Sequence, residues 1–165
     1  MSSETYYRKP REWVKVVLKH LEDKMNIEIG SIYKRSAEEL AEVTFTYQVG
    51  ESEPFNHLSH EERAQHRIEL RIMVEVPTSV DEFDLEALDA SCRIERELCN
   101  QFFGDGFNHE DAELVSNLPS KFAPELGVFA RTITMRQQIY LGPLEEDYVV
   151  LNEESYELNS ETFEP

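Results

Sequence analysis

The chain has 165 residues, of which 40% are hydrophobic and 10% aromatic, and its 34 acidic and 16 basic residues give a formal net charge of −18. This length suits a single domain, and the apolar content argues against a wholly disordered chain. The acidic balance argues against sequence-specific binding of nucleic acid through clustered lysines and arginines, although it suits a surface that DNA passes without adhering.

We expect neither a membrane span nor a signal peptide. No window approaches the roughly 20 apolar residues of a membrane span, and residues 1–10 have no apolar core that would indicate a signal peptide. We therefore expect no membrane partner and a protein made in the cytoplasm.

The first predicted element is an amphipathic helix from about Lys9 to Met25, with Pro10 in its first turn, where the missing N–H of proline costs nothing. Six apolar residues recur at the spacing of one helix face: Trp13, Val14, Val17, Leu18, Leu21 and Met25. Lysines occupy other positions around the helix. We expect a helix that packs on the core with a solvated basic face, and a helix lying on a membrane is the alternative.

Three strands are predicted next. An irregular strand is expected within Ile27 to Arg35, and Val43 to Val49 alternates apolar with polar residues, as a strand with one solvated face does. The strongest alternation lies between Arg67 and Val76 and fixes the register of that strand. Its predicted core residues are Ile68, Leu70, Ile72, Val74 and Val76. The polar stretch 51–65 is expected to form a long hairpin loop.

A second helix is predicted over about Asp84 to Phe103, with Gly104 as its stop. Its predicted buried stripe consists of Leu85, Leu88, Cys92, Ile94, Leu98, Cys99 and Phe102. The two cysteines are seven residues apart, which on a helix is about 10 Å and beyond disulfide reach. We therefore expect two reduced thiols in the core.

A broken connector with Pro119 and Pro124 is expected to lead to a last long strand from Val128 to Leu141. The predicted inward face of this strand carries Phe129, Ile133, Met135, Ile139 and Leu141. Together the elements predict an α+β fold over residues 1–143, with a mostly antiparallel sheet packed against two main helices.

The segment 144–165 is predicted to be a separate acidic arm, because it has eight acidic residues and no basic one. Its candidate contact residues are apolar or aromatic: Tyr148, Val150, Leu151, Tyr156, Leu158 and Phe163. Apolar anchors among acids favour an arm that becomes ordered on a neighbouring molecule. An intramolecular hairpin and a disordered tail are the alternatives.

The histidines and cysteines are the candidate metal ligands. His57, His60 and His66 could join Cys92 and Cys99 around zinc, but the cysteine spacing is longer than that of zinc-binding pairs. The stretch from Gly104 to Asp111 offers oxygen atoms around glycine, yet it lacks the residue order and the closing glutamate of a calcium loop. We expect no metal and no other cofactor, with a solvated histidine loop and a helix-ending turn instead.

The sequence has no catalytic motif that would indicate an enzyme. The sequence contains no phosphate-binding glycine loop, nucleophile elbow or His-Glu-x-x-His motif. Carboxylates are so abundant that any pair of them is weak evidence for acid–base catalysis. We therefore expect a binding or structural protein with no catalytic residues.

Two stretches carry a resemblance to a known family. HRIELRIMVEVPTSVDEFDLEALDASCRIERELCNQF, followed after a gap by GVFARTITMRQQIYL, resembles the tail-terminator (tail completion) proteins of long-tailed bacteriophages. The likeness covers about Trp13 to Leu141 and consists of the element order and of a strand, proline and acidic-helix pattern. The family has no motif of catalytic residues.

The resemblance implies a structural protein of the virion, in the neck of the tail. Such a protein forms a homo-oligomeric ring, usually a hexamer, that caps the tail tube protein and meets a head-completion or neck protein, with a tail sheath contact in contractile tails. DNA would leave through the lumen of the ring. Another neck, head-closure or baseplate subunit is the first alternative, and an acidic DNA-mimic or inhibitor protein is the second.

Overall fold

The computed structural model describes residues 6–35, 40–55 and 63–142. Two helices, α1 and α2, pack on one face of a five-stranded sheet whose spatial order is β1-β2-β3-β5-β4. The elements in chain order are α1 (Pro10–Met25), β1 (Ile29–Ser31), β2 (Thr44–Pro54), β3 (Gln65–Pro77), α2 (Phe83–Leu98), β4 (Glu113–Ala123) and β5 (Val128–Tyr140). The pairings between these strands are antiparallel except the short parallel contact between β1 and β2. The predicted α+β fold is confirmed, while the predicted arm 144–165 lies outside the described residues.

Helix α1 forms as its sequence predicts. The carboxylate of Glu12 accepts a hydrogen bond from the backbone N–H of Lys9 at 2.8 Å, which satisfies a donor at the start of the helix. Asn26 ends the helix in the left-handed region with φ 54°. Five of the six predicted apolar residues are buried and Met25 packs beside them, so the periodicity located the buried face correctly.

Strand β3 lies at the centre of the sheet, between β2 and β5. Its five predicted core residues are at most 3% exposed, and Ile72 lies opposite Ile133 of β5. On β5, Ile133, Met135 and Ile139 are fully buried, while Phe129 and, just after the strand, Leu141 are partly buried against the same core. Burying a side chain of this size contributes about 1.5–3 kcal/mol, so these two strands supply much of the core energy.

Strand β2 is longer than predicted and β1 shorter. The irregular stretch from Ile27 to Arg35 contains a three-residue strand followed by a single 3₁₀ turn, Ile32–Lys34. Strand β2 continues past Val49 to Pro54 through a bulge between Val49 and Ser52. The predicted long loop at 51–65 is therefore partly strand, because a bulge lets the ladder resume after the alternation is interrupted.

The predicted buried stripe of α2 is wrong in most of its members. The buried residues are Ala87, Ser91, Ile94 and Leu98, whereas Leu85, Leu88, Cys92, Cys99 and Phe102 are exposed. The helix also ends at Leu98 rather than Phe103, because Asn100 adopts φ 56° and its N–H bonds to the carbonyl of Ala112. Small residues lie against the sheet because they allow a close approach of the helix.

The predicted connector before Val128 is also wrong, because Glu113–Ala123 forms the edge strand β4. Register shifts between Leu114 and Ser116 and between Pro119 and Lys121 interrupt the alternation that would have indicated a strand. Proline is tolerated on an edge strand next to a bulge, so Pro119 did not exclude pairing with β5.

Candidate interaction surface

Helix α2 carries apolar side chains on a face that the sheet does not cover. Leu85 is 47% and Leu88 37% exposed, and the free thiol of Cys92 is exposed as well. With 3.6 residues per turn, these side chains are rotated about the helix axis by about a quarter to a half turn from the buried residues Ala87 and Ile94. The helix therefore has a second apolar stripe beside the one that enters the core.

Contacts on either side of α2 show where this stripe lies. On one side, the Asn117 side-chain amide of β4 donates hydrogen bonds to Ser91 Oγ at 2.9 Å and to Glu95 Oε1 at 2.7 Å. On the other side, Arg93 donates to the carbonyl of Lys24 at 3.2 Å, next to α1. Around the helix axis, in the direction that leads from Ser91 to Glu95, the next side chains are those of Leu88 and Cys92. The apolar stripe therefore lies on the β4 side of α2, away from α1.

The edge strand β4 also carries exposed apolar side chains: Phe122, opposite Phe129, lies on the α2 side of the sheet, whereas Leu118, opposite Thr132, lies on the face that the helices do not cover. Val115, Leu118 and Phe122 are 47%, 60% and 62% exposed. The ring of Phe122 stacks on Phe83, the first residue of α2, with centroids 6.2 Å apart. We define the β4 surface as the exposed apolar residues of α2 and β4, namely Leu85, Leu88, Val115, Leu118 and Phe122.

The backbone of β4 is poorly suited to extending the sheet. Two bulges, Pro119 and the exposed Lys121 are features that protect edge strands from pairing with another chain. Its side chains, by contrast, present apolar area that no other described residue covers. A partner would therefore contact this edge through side chains rather than through a continuous ladder.

The opposite edge of the sheet also carries exposed apolar side chains. Strand β1 pairs only with Phe45–Tyr47, so within the described ranges no strand covers the outer side of β2 beyond Tyr47. Tyr33 is 77% and Val49 44% exposed, and the Tyr33 hydroxyl accepts a hydrogen bond from Gln48 Nε2 at 2.9 Å. We call Tyr33 and Val49 the β2 surface. Three strand spacings separate β2 from β4, so the two surfaces lie about 14 Å apart across the sheet.

No protein-family model matches the chain, and no curated protein matches it at a significant level. Among residues 6–35, 40–55 and 63–142, no helix is long and apolar enough to cross a membrane. Within the described residues, the β4 and β2 surfaces present exposed apolar side chains at opposite edges of the sheet.

The predicted contact residues of the arm and part of the predicted histidine loop lie outside the described residues. They are Tyr148, Val150, Leu151, Tyr156, Leu158 and Phe163 of the arm, and His57 and His60 of the loop. His66 is half-buried on β3. Cys92 and Cys99 are free and exposed, so the prediction that both thiols lie in the core is wrong. The described part of the chain holds no group of three or more possible metal ligands.

The stretch from Gly104 to Asp111 forms a turn organised by one carboxylate. Asp105 accepts hydrogen bonds from the backbone N–H groups of Phe107 at 3.0 Å and Asn108 at 3.1 Å, and from the Asn108 side chain at 2.8 Å. These donors occupy both carboxylate oxygens. The carboxylate therefore stabilises the turn. The turn does not end α2, as predicted, but follows the helix end at Leu98.

Arg63 is a buried residue that sequence reasoning missed. It is 3% exposed, and it donates to the carbonyls of Phe107 at 2.7 Å and Tyr140 at 2.6 Å and to the side-chain oxygen of Asn108. Its guanidinium also lies 4.7 Å from the ring centroid of Tyr6. Arg63 thus fastens the end of β5 to the N-terminal segment. A single arginine in a polar stretch gives no sequence signal of such a role.

His109 and Tyr7 form a second buried polar contact beneath this region. The Tyr7 hydroxyl lies 3.3 Å from His109 Nε2, and His109 is 1% exposed. Burial lowers the pKa of His109, with Asp105 acting in the opposite direction, and burial raises the pKa of Tyr7. Both side chains are therefore kept neutral, as suits a packing contact between the N-terminal segment and the turn.

Proposed function

We propose that the chain is a structural subunit of a ring that caps the head-proximal end of a phage tail tube and joins it to the head or neck, with DNA passing through the lumen. The observation that supports the proposal most directly is the position of the β4 and β2 surfaces at opposite edges of one sheet. A contact between two unlike surfaces repeats head to tail and closes into a ring when the rotation between subunits permits.

The side chains on the two surfaces suit such a contact. Leu118 and Phe122 on one edge would bury against Tyr33 and Val49 on the next subunit, and aromatic residues are enriched in the cores of protein interfaces. The interface is a side-chain contact because bulges and Pro119 interrupt the β4 ladder. A ring of six subunits is the form that the family resemblance implies.

The charge of the chain supports a lumen through which DNA moves. A net charge of −18 repels the phosphate backbone, and five exposed carboxylates surround the start of α2: Asp81, Glu82, Asp84, Glu86 and Asp89. Repulsion shortens the residence of DNA on a wall. An acidic ring subunit would therefore guide DNA without retaining it.

Binding to purified tail tubes tests this role. The full-length protein, carrying a gold label, is mixed with tubes that lack their terminator and is viewed by electron microscopy. We expect rings and a single label at the head-proximal end of each tube. The Phe122→Glu variant, whose altered residue is 62% exposed, should give neither rings nor labelled ends while remaining folded.

Other outcomes would favour the alternatives. Labels at the distal end of the tube would indicate a baseplate subunit. A monomer that ignores tubes but binds a basic nuclease tightly would indicate a DNA-mimic protein and would contradict the ring.

A further inference from the structure

We propose that the acidic segment 144–165 binds a basic ridge on helix α1 of its own chain. The ridge consists of Arg11, Lys15 and Lys19, which are spaced four residues apart and therefore form one stripe along the helix. All three side chains are exposed. The inference concerns the single subunit and does not depend on the proposed ring.

The positive charge of the ridge is weakly compensated by its neighbours. No carboxylate of residues 6–35, 40–55 or 63–142 lies within salt-bridge distance of Arg11 or Lys15. Lys19 pairs with Asp23 at 3.9 Å, but their side chains are 79% and 68% exposed, so solvent screens this pair strongly. The ridge is therefore an exposed cationic stripe on an otherwise acidic protein.

The segment leaves the described fold beside the start of this helix. The backbone N–H of Gly142 donates to the carbonyl of Tyr7 at 2.6 Å, three residues before α1 begins at Pro10. Arg63 binds the carbonyls of Tyr140 and Leu141 and holds this exit point in place. The first acidic residues, Glu145 to Asp147, follow Gly142 within five positions.

The distances suit binding within one chain. Arg11 and Lys19 are eight helical residues apart, which corresponds to about 12 Å. The chain from Gly142 to Glu153 contains eleven residue steps and spans roughly 18 Å even as a random coil. Because a short connection gives an effective concentration near the millimolar range, the segment should occupy its own ridge before that of another molecule.

Charge identifies the segment as the occupant of the ridge. It carries eight acidic residues and no basic one, which complements three adjacent cations. The same ridge could attract another polyanion or the segment of a second copy. The attached segment is favoured over both by its connection to the helix.

Zero-length carbodiimide crosslinking of the full-length protein, followed by mass spectrometry, tests the proposal, since the reagent joins lysine amines only to carboxylates in contact. We expect crosslinks from Lys15 and Lys19 to carboxylates within 145–157, at least fivefold more abundant than those from Lys24, Lys34 or Lys121. Lys24 is the matched control because it is exposed on the opposite side of the same helix. In 0.5 M salt the crosslinks to the ridge should be lost.

A mixture of ¹⁴N- and ¹⁵N-labelled protein separates the possible occupants. Binding within one chain predicts ridge crosslinks that join peptides of the same label, and Arg11→Glu should weaken them at least threefold without altering the fold. Crosslinks that join peptides of different labels would overturn the proposal in favour of a neighbouring copy. Equal crosslinking of all exposed lysines, or none at Lys15 and Lys19, would overturn it altogether.

Discussion

The indole N–H of Trp13 donates a hydrogen bond to the side-chain oxygen of Gln137 at 2.7 Å, joining α1 to β5 inside the core. The amide nitrogen of Gln137 donates in turn to the carbonyls of Gln101 and Glu110. Trp13 is fully buried and Gln137 is 1% exposed. One polar side chain therefore ties the first helix, the last strand and the segment after α2 together.

Replacing Gln137 with leucine should destabilise the fold by about 2–4 kcal/mol. The change leaves the indole N–H and two backbone carbonyls buried without partners, which costs more than losing a solvated hydrogen bond. Urea denaturation followed by tryptophan fluorescence measures the effect. Gln138→Leu is the matched control, since this neighbouring side chain is only half-buried, and it should cost less than about 1 kcal/mol. Equal effects of the two variants would contradict the assigned role of Gln137.

Ile72→Asp should unfold the domain, because it places an unpaired charge among fully buried residues at a cost of several kcal/mol. Met73→Asp is the matched control, because the next residue of β3 points to the face of the sheet that the helices do not cover. We expect circular dichroism to show a folded Met73→Asp protein and an unfolded Ile72→Asp protein. Cooperative unfolding of Ile72→Asp near wild-type stability would show that the register of β3 is wrong.

The stability of the fold should decrease as the pH falls below about 6.5, the ordinary pKa of histidine, through the protonation of His109. Burial lowers the folded-state pKa of His109, so the unfolded chain binds the proton more readily between the two pKa values. The facing groups are the Tyr7 hydroxyl, the Phe103 ring and Asp105, whose charge partly opposes the effect of burial.

Comparison of wild type with His109→Phe isolates this contribution from the general effect of protonating an acidic protein. The difference in free energy of unfolding should change by up to about 1.4 kcal/mol per pH unit below pH 6.5, with wild type losing stability relative to the variant. Denaturant titrations between pH 7.5 and 5 measure it. A difference that stays constant with pH would show that His109 is protonated equally in both states.

The sequence predicted the elements whose apolar pattern is regular. The spacing of Trp13 to Met25 identified α1, and the alternation from Ile68 to Val76 identified β3, because each pattern repeats long enough to indicate both the element and its buried face. The same reasoning found β5, although it gave no role to the buried Gln137. The spacing of residues along a strand does not indicate which partner a buried polar side chain has.

The features that carry the interaction surfaces were predicted incorrectly for physical reasons. Leu88 and Cys92 have the spacing of a core stripe, but the smaller Ala87 and Ser91 allow α2 to approach the sheet more closely and leave the larger residues outside. In β4 the bulges shift the alternation, so the edge strand resembled a connector. Apolar residues that stay exposed beside the core give the same periodic signal as those that enter it.

The proposed ring depends on contact between the β4 surface of one subunit and the β2 surface of the next. Phe122→Glu removes the first surface and Tyr33→Glu the second, and both side chains are more than 60% exposed, so the fold should survive. Phe102→Glu is the control, because Phe102 is 45% exposed and belongs to neither surface.

Light scattering coupled to gel filtration, applied to an equal mixture of Phe122→Glu and Tyr33→Glu, tests this contact most directly. Each variant alone should be a monomer, whereas wild type and Phe102→Glu should form a closed oligomer. The mixture should stop at a heterodimer, because only one intact β4 surface and one intact β2 surface remain to meet. A wild-type protein that stays monomeric at every concentration, or a Tyr33→Glu protein that assembles normally, would contradict the head-to-tail ring.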